Sequence, residues 1–516
     1  MKINYNLSAM ITNTQLLKNE KGQQAATERL ASGLKINHAK DNPAGMAISH
    51  KMRQQIDGIM QASKNSADGI SVIQTAEGCL NEVASILQRM KELSVQSANG
   101  TNSIDEREAI QQEIDSLNAE IDRISKNTEF NKKNLLDGSL SRRSYTDNLY
   151  VDVKSASEAV TADKYELKIL ADARQAVIIG NDGNTPADNK IPATAKGTIT
   201  INGASVEIGS GETAQEVYSK LRQLADQVDV RCDITDGTKV SDGTTEETAQ
   251  YKTEADYDFT QKLLFVSKEY GSDEKVEISV SNNELANILG LDAAAEEGGI
   301  ACKGVDAQVK LENTKDTGFK SSATATVKGN EVTVTDFNGF KMEIKIRQGI
   351  CKTDFNDKTA DPADTSDAPE ALGGDEVLVT ADVTDIGMMT VHLGANENQI
   401  LDADIPEVSV ESLGLDKLNV LSEYTSGKAM DKLDAAINKV SEARSRLGAY
   451  QNRLEHTVAS LDETEEDMTS ALSRITDADM AEEMTEFTQY SVLTQAATSV
   501  LAQANDLPQQ ALQLLQ

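Results

Sequence analysis

Side chains able to ligate a metal or act as nucleophiles are few in this chain of 516 residues: the histidines His38, His50, His392 and His456 and the cysteines Cys79, Cys232, Cys302 and Cys351. Zinc or protease chemistry needs such groups at fixed helical or turn spacing, as in HExxH or paired CxxC. No histidine stands in such a pattern or beside a cysteine, and the cysteines are too scattered to form a ligand set. A GxSxG elbow, a Walker loop and a GxGxxG following a strand are also missing from the sequence. The acid-rich stretches "EYGSDEK" (269–275) and "DITDGTKVSDG" (233–243) lack the D-x-D-x-D-G register of a calcium loop, so they read as a solvated acidic face. The expectation is four unpaired thiols, no metal, no cofactor and no catalytic residue.

Composition narrows the class further. The formal net charge is −34, from 84 acidic against 50 basic residues, and no basic cluster offers a phosphate backbone a footing. A nucleic-acid partner is not expected. Aromatic residues make up 4% and tryptophan is missing, which leaves a large enzyme-like core short of bulky fillers and favours aliphatic helix packing. No stretch approaches the ~18 apolar residues of a membrane span. The opening "MKINYNLSAMITNTQLL" has neither a continuous apolar segment nor a small-residue cleavage site, so no cleaved signal peptide is expected.

The elements that must carry any function are therefore helices. Ile3, Leu7, Met10, Thr14 and Leu17 alternate in steps of four and three, a heptad seam. Asp41-Asn42-Pro43 and Gly45 break it, and Ile73, Ala76, Leu80, Val83, Leu87 and Met90 resume the alternation within a helix expected over 44–98. At ~1.5 Å rise per residue that helix is a rod of about 80 Å. After "NGTNS" (99–103), Ile110, Ile114, Leu117, Ile121 and Ile124 share a stripe, and so short a turn predicts an antiparallel return. The C-terminal part mirrors this. Ile437, Val440, Leu447, Leu454, Val458 and Leu461 take heptad positions, with Arg444 and Gln451 as polar interruptions of the same seam. Met468, Leu472 and Ile475 continue it, and Met480, Met484, Phe487 and the tail residues Leu493, Val500 and Leu501 form a last amphipathic segment. A core split between two chain ends must be completed by pairing the ends or by neighbouring subunits. With stability dependent on that packing, 1–40 and 480–516 are expected to be mostly disordered in isolation.

Between 141 and 421 the pattern changes to turns and alternation. "GTITINGASVEI" predicts two strands around an Asn202-Gly203 turn, and Thr213 with Glu216 predicts a capping box before a short helix bearing Ala214, Val217, Leu221, Leu224 and Val228 on one face. Strands are expected at 262–266, 275–280, 323–335 and 340–346, and a solvated loop at "TDGTKVSDGTTEETAQ". The fold class is thus mainly α at both termini, as paired long helices in a coiled-coil rod, with an inserted α+β or β-rich variable region of one or two subdomains.

Several long phrases, in order at both ends, carry a resemblance. "INYNLSAM", "ERLASGLKINHAKDNPAGMAI", "SRLGAYQNRLEHTVASL" and "LAQANDLPQQALQLLQ" resemble bacterial flagellin over about the first 140 and last 95 residues. The resemblance implies a terminal filament-core domain from 1–43 with 478–516, a helical rod from 44–140 with 422–477, and a surface-exposed insert over 141–421. It implies an extracellular homopolymer used for motility. Its implied partners are other copies of the chain, a cytosolic export chaperone, the filament cap and hook-junction proteins, and its implied route is type III export without a cleaved peptide. It also implies recognition by the host's flagellin-sensing Toll-like receptor, with Gln88, Arg89, Leu93 and Glu113 as the matching positions and an exposed Leu93 as an anchor beside Arg89. Assembly is expected to run through Ile3, Leu7, Met10, Leu17, Met484, Phe487, Leu493, Val500 and Leu501. The alternatives are a hook–filament junction protein, or a flagellin whose insert is an enzyme; the one histidine of that insert, His392, has no visible partner in the sequence.

Overall fold

The computed structural model describes residues 6–157, 159–186, 188–235, 257–295, 299–311, 318–351, 377–384 and 386–513. Its helices, in chain order, are α1 (Leu7–Ser32), α2 (Pro43–Ser97), α3 (Ile104–Asn127), α4 (Ala214–Gln227), α5 (Asn283–Leu289), α6 (Val410–Leu413), α7 (Glu423–Thr476) and α8 (Met480–Gln513). The chain divides into two compact units, one of Met1–Ser71, Thr390–Leu401 and Tyr450–Gln516, the other of Val72–Met389 and Asp402–Ala449.

In the first unit α1 and α8 lie side by side. α1 is stopped by Gly33 in the left-handed region at φ 72°. Asp41 accepts backbone N–H bonds from Asn37 and His38, which lower its carboxyl pKa, and Asn42 accepts from the N–H of Gly45 to open α2 at Pro43. The sequence break at 41–45 is thus a cap with defined hydrogen bonds. At Gly58 the segment after α2's first turns meets Ala395 so closely that a Cβ would lie 2.7 Å from the alanine's, which leaves room for no larger residue.

In the second unit Ile73, Ala76, Leu80, Val83, Leu87 and Met90 of α2 are fully buried, as the heptad spacing predicts. Ser103 caps α3 in a capping box with Glu106, and Arg89 pairs with Glu113, equidistant from the turn, as an antiparallel return requires. On α7, which passes into the first unit at Tyr450, the buried apolar positions are Ala429, Leu433, Ala436, Val440, Ala443, Leu447, Tyr450 and Leu454. This corrects the sequence reading of α7. Val440, Leu447 and Leu454 are shared, but the alternate seam positions are Ala436, Ala443 and Tyr450, one residue before those expected. Arg444 is a flank residue whose guanidinium reaches Glu77 at 3.0 Å, and Gln451 also lies outside the buried seam. Small alanines let helices approach closely, an option that a search for large apolar residues overlooks.

The insert forms two nested antiparallel β cores. In the first, one sheet runs Gln308–Leu311, Lys164–Ala171, Val377–Val383, Ser144–Thr146 and the other Thr324–Lys328, Glu331–Thr335, Lys341–Ile346, Val151–Ala156. Tyr165, Leu167, Ile169, Val334, Met342 and Ile344 fill the space between them. After Ala171 the chain leaves to build the second core and returns at Gln308. That second core joins the sheet Ile300–Lys303, Lys275–Val280, Gly197–Ile201, Ala204–Ile208 to the sheet Val177–Ile179, Lys262–Ser267, Val230–Thr235, with α4 burying Val217, Leu221 and Leu224. The Asn202-Gly203 turn takes φ 45° and 86°, the left-handed pair a two-residue hairpin needs, and the Thr213/Glu216 capping box is present. The 323–335 run is a hairpin of two strands. The stretch read as a solvated loop lies, after Thr235, outside the described residues. All four cysteines are free.

Candidate functional site

Two surfaces carry the residues singled out by sequence. The first is the α1/α8 pair. Its interior is small and polar: Asn19, Ala26, Glu483, Ala497 and Ala504 are buried, and a Cβ at Gly22 would lie 2.6 Å from the Tyr490 ring. The Asn6 amide donates to the carbonyl of Ala504 at 2.8 Å at one end of the pair, and at the other Arg29 reaches Glu483 at 3.0 Å and Glu486 at 2.9 Å. Arg29 and Glu483 carry opposite charges in a half-dry site, which sets the pair's alignment more than its stability.

The large apolar residues point the other way. Leu7 is 63% exposed, Met10 61% and Leu17 51% on α1, and Met484, Leu493 and Val500 are similarly exposed on α8; Phe487 and Leu501 are half-buried. Ile3 lies outside the described residues. Of the two ways to complete the split core, pairing the ends does not hide these residues. The described parts of both ends are helical and meet through the close Gly22–Tyr490 and alanine contacts, while Leu7, Met10, Leu17, Met484, Leu493 and Val500 stay exposed. Met480, named with that segment, is exposed too, as are Ile11 and Val492, which the heptad pattern passed over because they fall beside the seam. So many large apolar side chains left in solvent on one helix pair point to an interaction site.

The second surface is the α2/α3 turn. Gln88, Arg89 and Glu113 are exposed together. The Arg89 guanidinium donates to Glu113 Oε1 at 2.9 and 3.2 Å, and this hydrogen bond raises the arginine's pKa. Leu93 does not join them. It is 2% exposed and packs in the helical interior beside Ser94, the position on which the alternation of 80, 83, 87 and 90 next falls. The exposed anchor expected at that position is therefore corrected to a core residue.

Elsewhere the acid-rich stretch 269–275 is not wholly the solvated face the sequence suggests: Glu274 is 8% exposed and pairs with Lys428 at 2.7 Å. Cys232 and Cys351 are buried, and desolvation pushes the Cys351 thiol up to about 12. His392 is exposed on its strand. Among the described residues no group of three His, Cys, Asp or Glu is placed to hold a metal, and no helix is long and apolar enough to cross a membrane.

The chain's ends match two families, the bacterial flagellin N-terminal helical region over residues 3–141 and the bacterial flagellin C-terminal helical region over 430–515. It is 32% identical to a flagellin of Salmonella rubislaw over 99% of both chains, and 33% identical to one of Clostridium tyrobutyricum over 99% of this chain and 100% of that one. A flagellar hook associated protein-3 from Legionella pneumophila is matched at 13% identity, covering 83% of this chain and 98% of that one, with a TM-score of 0.29, too low to bear on function. With helical ends matched on both sides and relatives aligned along the whole length, the chain belongs to the bacterial flagellin family.

Proposed function

We propose that this chain is the structural subunit of an extracellular flagellar filament, polymerising through α1 and α8 and performing no turnover chemistry. The single observation that carries the reading is the outward-facing apolar set of Leu7, Met10, Leu17, Met484, Leu493 and Val500 on a helix pair whose own interface is already filled by small residues. Each such side chain is worth roughly 1.5–3 kcal/mol when fully buried, so neighbouring copies that cover the set gain tens of kcal/mol gross, offset by the ordering of side chains and subunits. In this reading 1–43 with 478–516 form the filament core, 44–140 with 422–477 the rod, and 141–421 the exterior. Export proceeds through the type III route with a chaperone shielding the apolar C-terminal helix, and growth occurs under a cap above hook-junction proteins.

The test is seeded polymerisation of full-length monomer beside a Leu493→Asp, Leu501→Asp variant, followed by electron microscopy and sedimentation. The variant is expected to raise the critical concentration at least about 100-fold, since two buried leucines become two charges. Polymerisation at the wild-type critical concentration overturns the reading, and failure of the wild-type chain to give long fibres favours a junction protein.

A second role rests on the exposed Gln88, Arg89 and Glu113: this face is the contact for a flagellin-sensing Toll-like receptor, with Leu93 holding the helix from beneath. Arg89→Ala removes the paired guanidinium and is expected to raise the half-maximal dose in a receptor reporter assay by about tenfold or more, as a hot-spot arginine does. An unchanged dose with unchanged melting temperature rules Arg89 out of the contact.

A further inference from the structure

One face of α7 carries four cations whose spacing the apolar pattern does not explain. Lys428, Lys432, Lys439 and Arg446 follow one another at steps of four, seven and seven, so they form a single stripe. Each stands one residue before a buried seam position, Ala429, Leu433, Val440 and Leu447 respectively, so the stripe runs along the edge of the apolar seam. Each also meets one acid from outside the helix. Lys428 reaches Glu274 at 2.7 Å and Lys432 reaches Glu269 at 2.7 Å, both acids flanking the turn before the strand Lys275–Val280 of the second β core. Lys439 reaches Glu343 at 3.0 Å on the Lys341–Ile346 strand of the first core. Arg446 reaches Asp404 at 3.2 Å, and Asp404 accepts in addition from the backbone N–H of Arg142.

The acids are the less exposed partners at three of the four rungs: Glu274 is 8% and Asp404 7% exposed, and the Glu343 side chain is 17%. Among the described residues, meanwhile, each β core is closed without α7, since neither hydrophobic cluster includes a residue of that helix. Cores that need no apolar contribution from the helix, joined to it by four buried or half-buried charge pairs in one line, have the construction of a detachable fastening. Tyr424 reports on its first rung: the Lys428 ammonium sits 4.8 Å and the Lys275 ammonium 5.6 Å from its ring centre.

We propose that the cationic stripe of α7 is an electrostatic ladder that fixes the orientation of the variable region on the helical part, and that opening its first two rungs undocks the second β core while both the core and the helices stay folded. The rungs select by charge complementarity, so an insert can vary in sequence as long as acids arrive opposite the four cations.

The test uses the full-length monomer and the rate of chemical modification of Tyr424, read by mass spectrometry, with circular dichroism as a check on folding. Lys428→Glu with Lys432→Glu is expected to speed labelling of Tyr424 roughly tenfold at unchanged helix content, as a local opening does. Adding Glu274→Lys with Glu269→Lys reverses the pairs and is expected to restore the original rate. If the charge-reversed chain does not fold, Lys428→Gln with Lys432→Gln serves in its place and is expected to give the same direction. An unchanged rate in the lysine variants, or a swap that folds and fails to restore it, overturns the ladder.

Discussion

At the scale of single residues, the position that decides most is the one with no side chain. Gly22 lets the Tyr490 ring come close to the α1 backbone, and a Cβ there would stand 2.6, 2.7 and 2.9 Å from three atoms of the ring. Those distances cannot be absorbed by a flexible side-chain tip, because the ring is rigid and its own helix fixes it. Gly22→Val is therefore expected to destabilise the α1/α8 pair by ~1–3 kcal/mol despite valine's better helix propensity. The double variant with Tyr490→Ala should recover most of that loss, and thermal unfolding of the four proteins in a double-mutant cycle checks it. Additive losses would mean that the two residues do not share the contact. Gly22 carries no sign of this role in the sequence, where it sits between Lys21 and Gln23 as an ordinary weak helix former. The same blindness applies to Leu93, whose exposure depends on which stripe of α2 the rest of the unit covers.

Elements were largely legible where one local rule suffices. The α2 stripe, the Asn202-Gly203 hairpin, the Thr213/Glu216 cap and the strand Lys275–Val280 all follow from periodicity or turn chemistry alone, and each stands as those rules require. Elements were misread where two rules compete. On α7 a heptad through Arg444 and Gln451 and one through Ala443 and Tyr450 share Val440, Leu447 and Leu454, and size favoured the wrong one: packing takes the small alanine and the aromatic ring, and puts the guanidinium against Glu77. The cationic stripe was illegible for a related reason. Its spacing is visible in sequence, but its meaning lies in Glu269, Glu274, Glu343 and Asp404, which come from three separate stretches of chain and converge only in the fold. On α1 the heptad itself was legible, while its partner was not, since Leu7, Met10 and Leu17 stay exposed although α8 lies beside α1.

Taken as a whole, the molecule treats its apolar surface in two ways. The insert cores bury Tyr165, Phe259, Phe265 and the inward-facing residues of the strands around them, so folding there needs no other copy. The α1/α8 pair leaves its large residues out and holds together through alanines, one glycine and an ion-paired end. Stability should be distributed accordingly. In the monomer, amide hydrogens of α1 and α8 exchange through low-cost local opening, whereas those of the paired strands wait for much rarer events. Polymerisation adds burial only to the ends, and a partner that binds the folded form alone stabilises it by mass action. Amide exchange read by mass spectrometry on monomer and on filaments should then show protection of α1 and α8 rising by at least about 100-fold, equivalent to ~2.7 kcal/mol, with little change in the strands 262–267 and 275–280. Equal protection of ends and strands in the monomer, or ends whose exchange is indifferent to assembly, would mean that the exposed stripes are not where subunits meet. Coupling of this kind also makes assembly cooperative, because an end helix gains its full stability only when the neighbours that cover it are already in place.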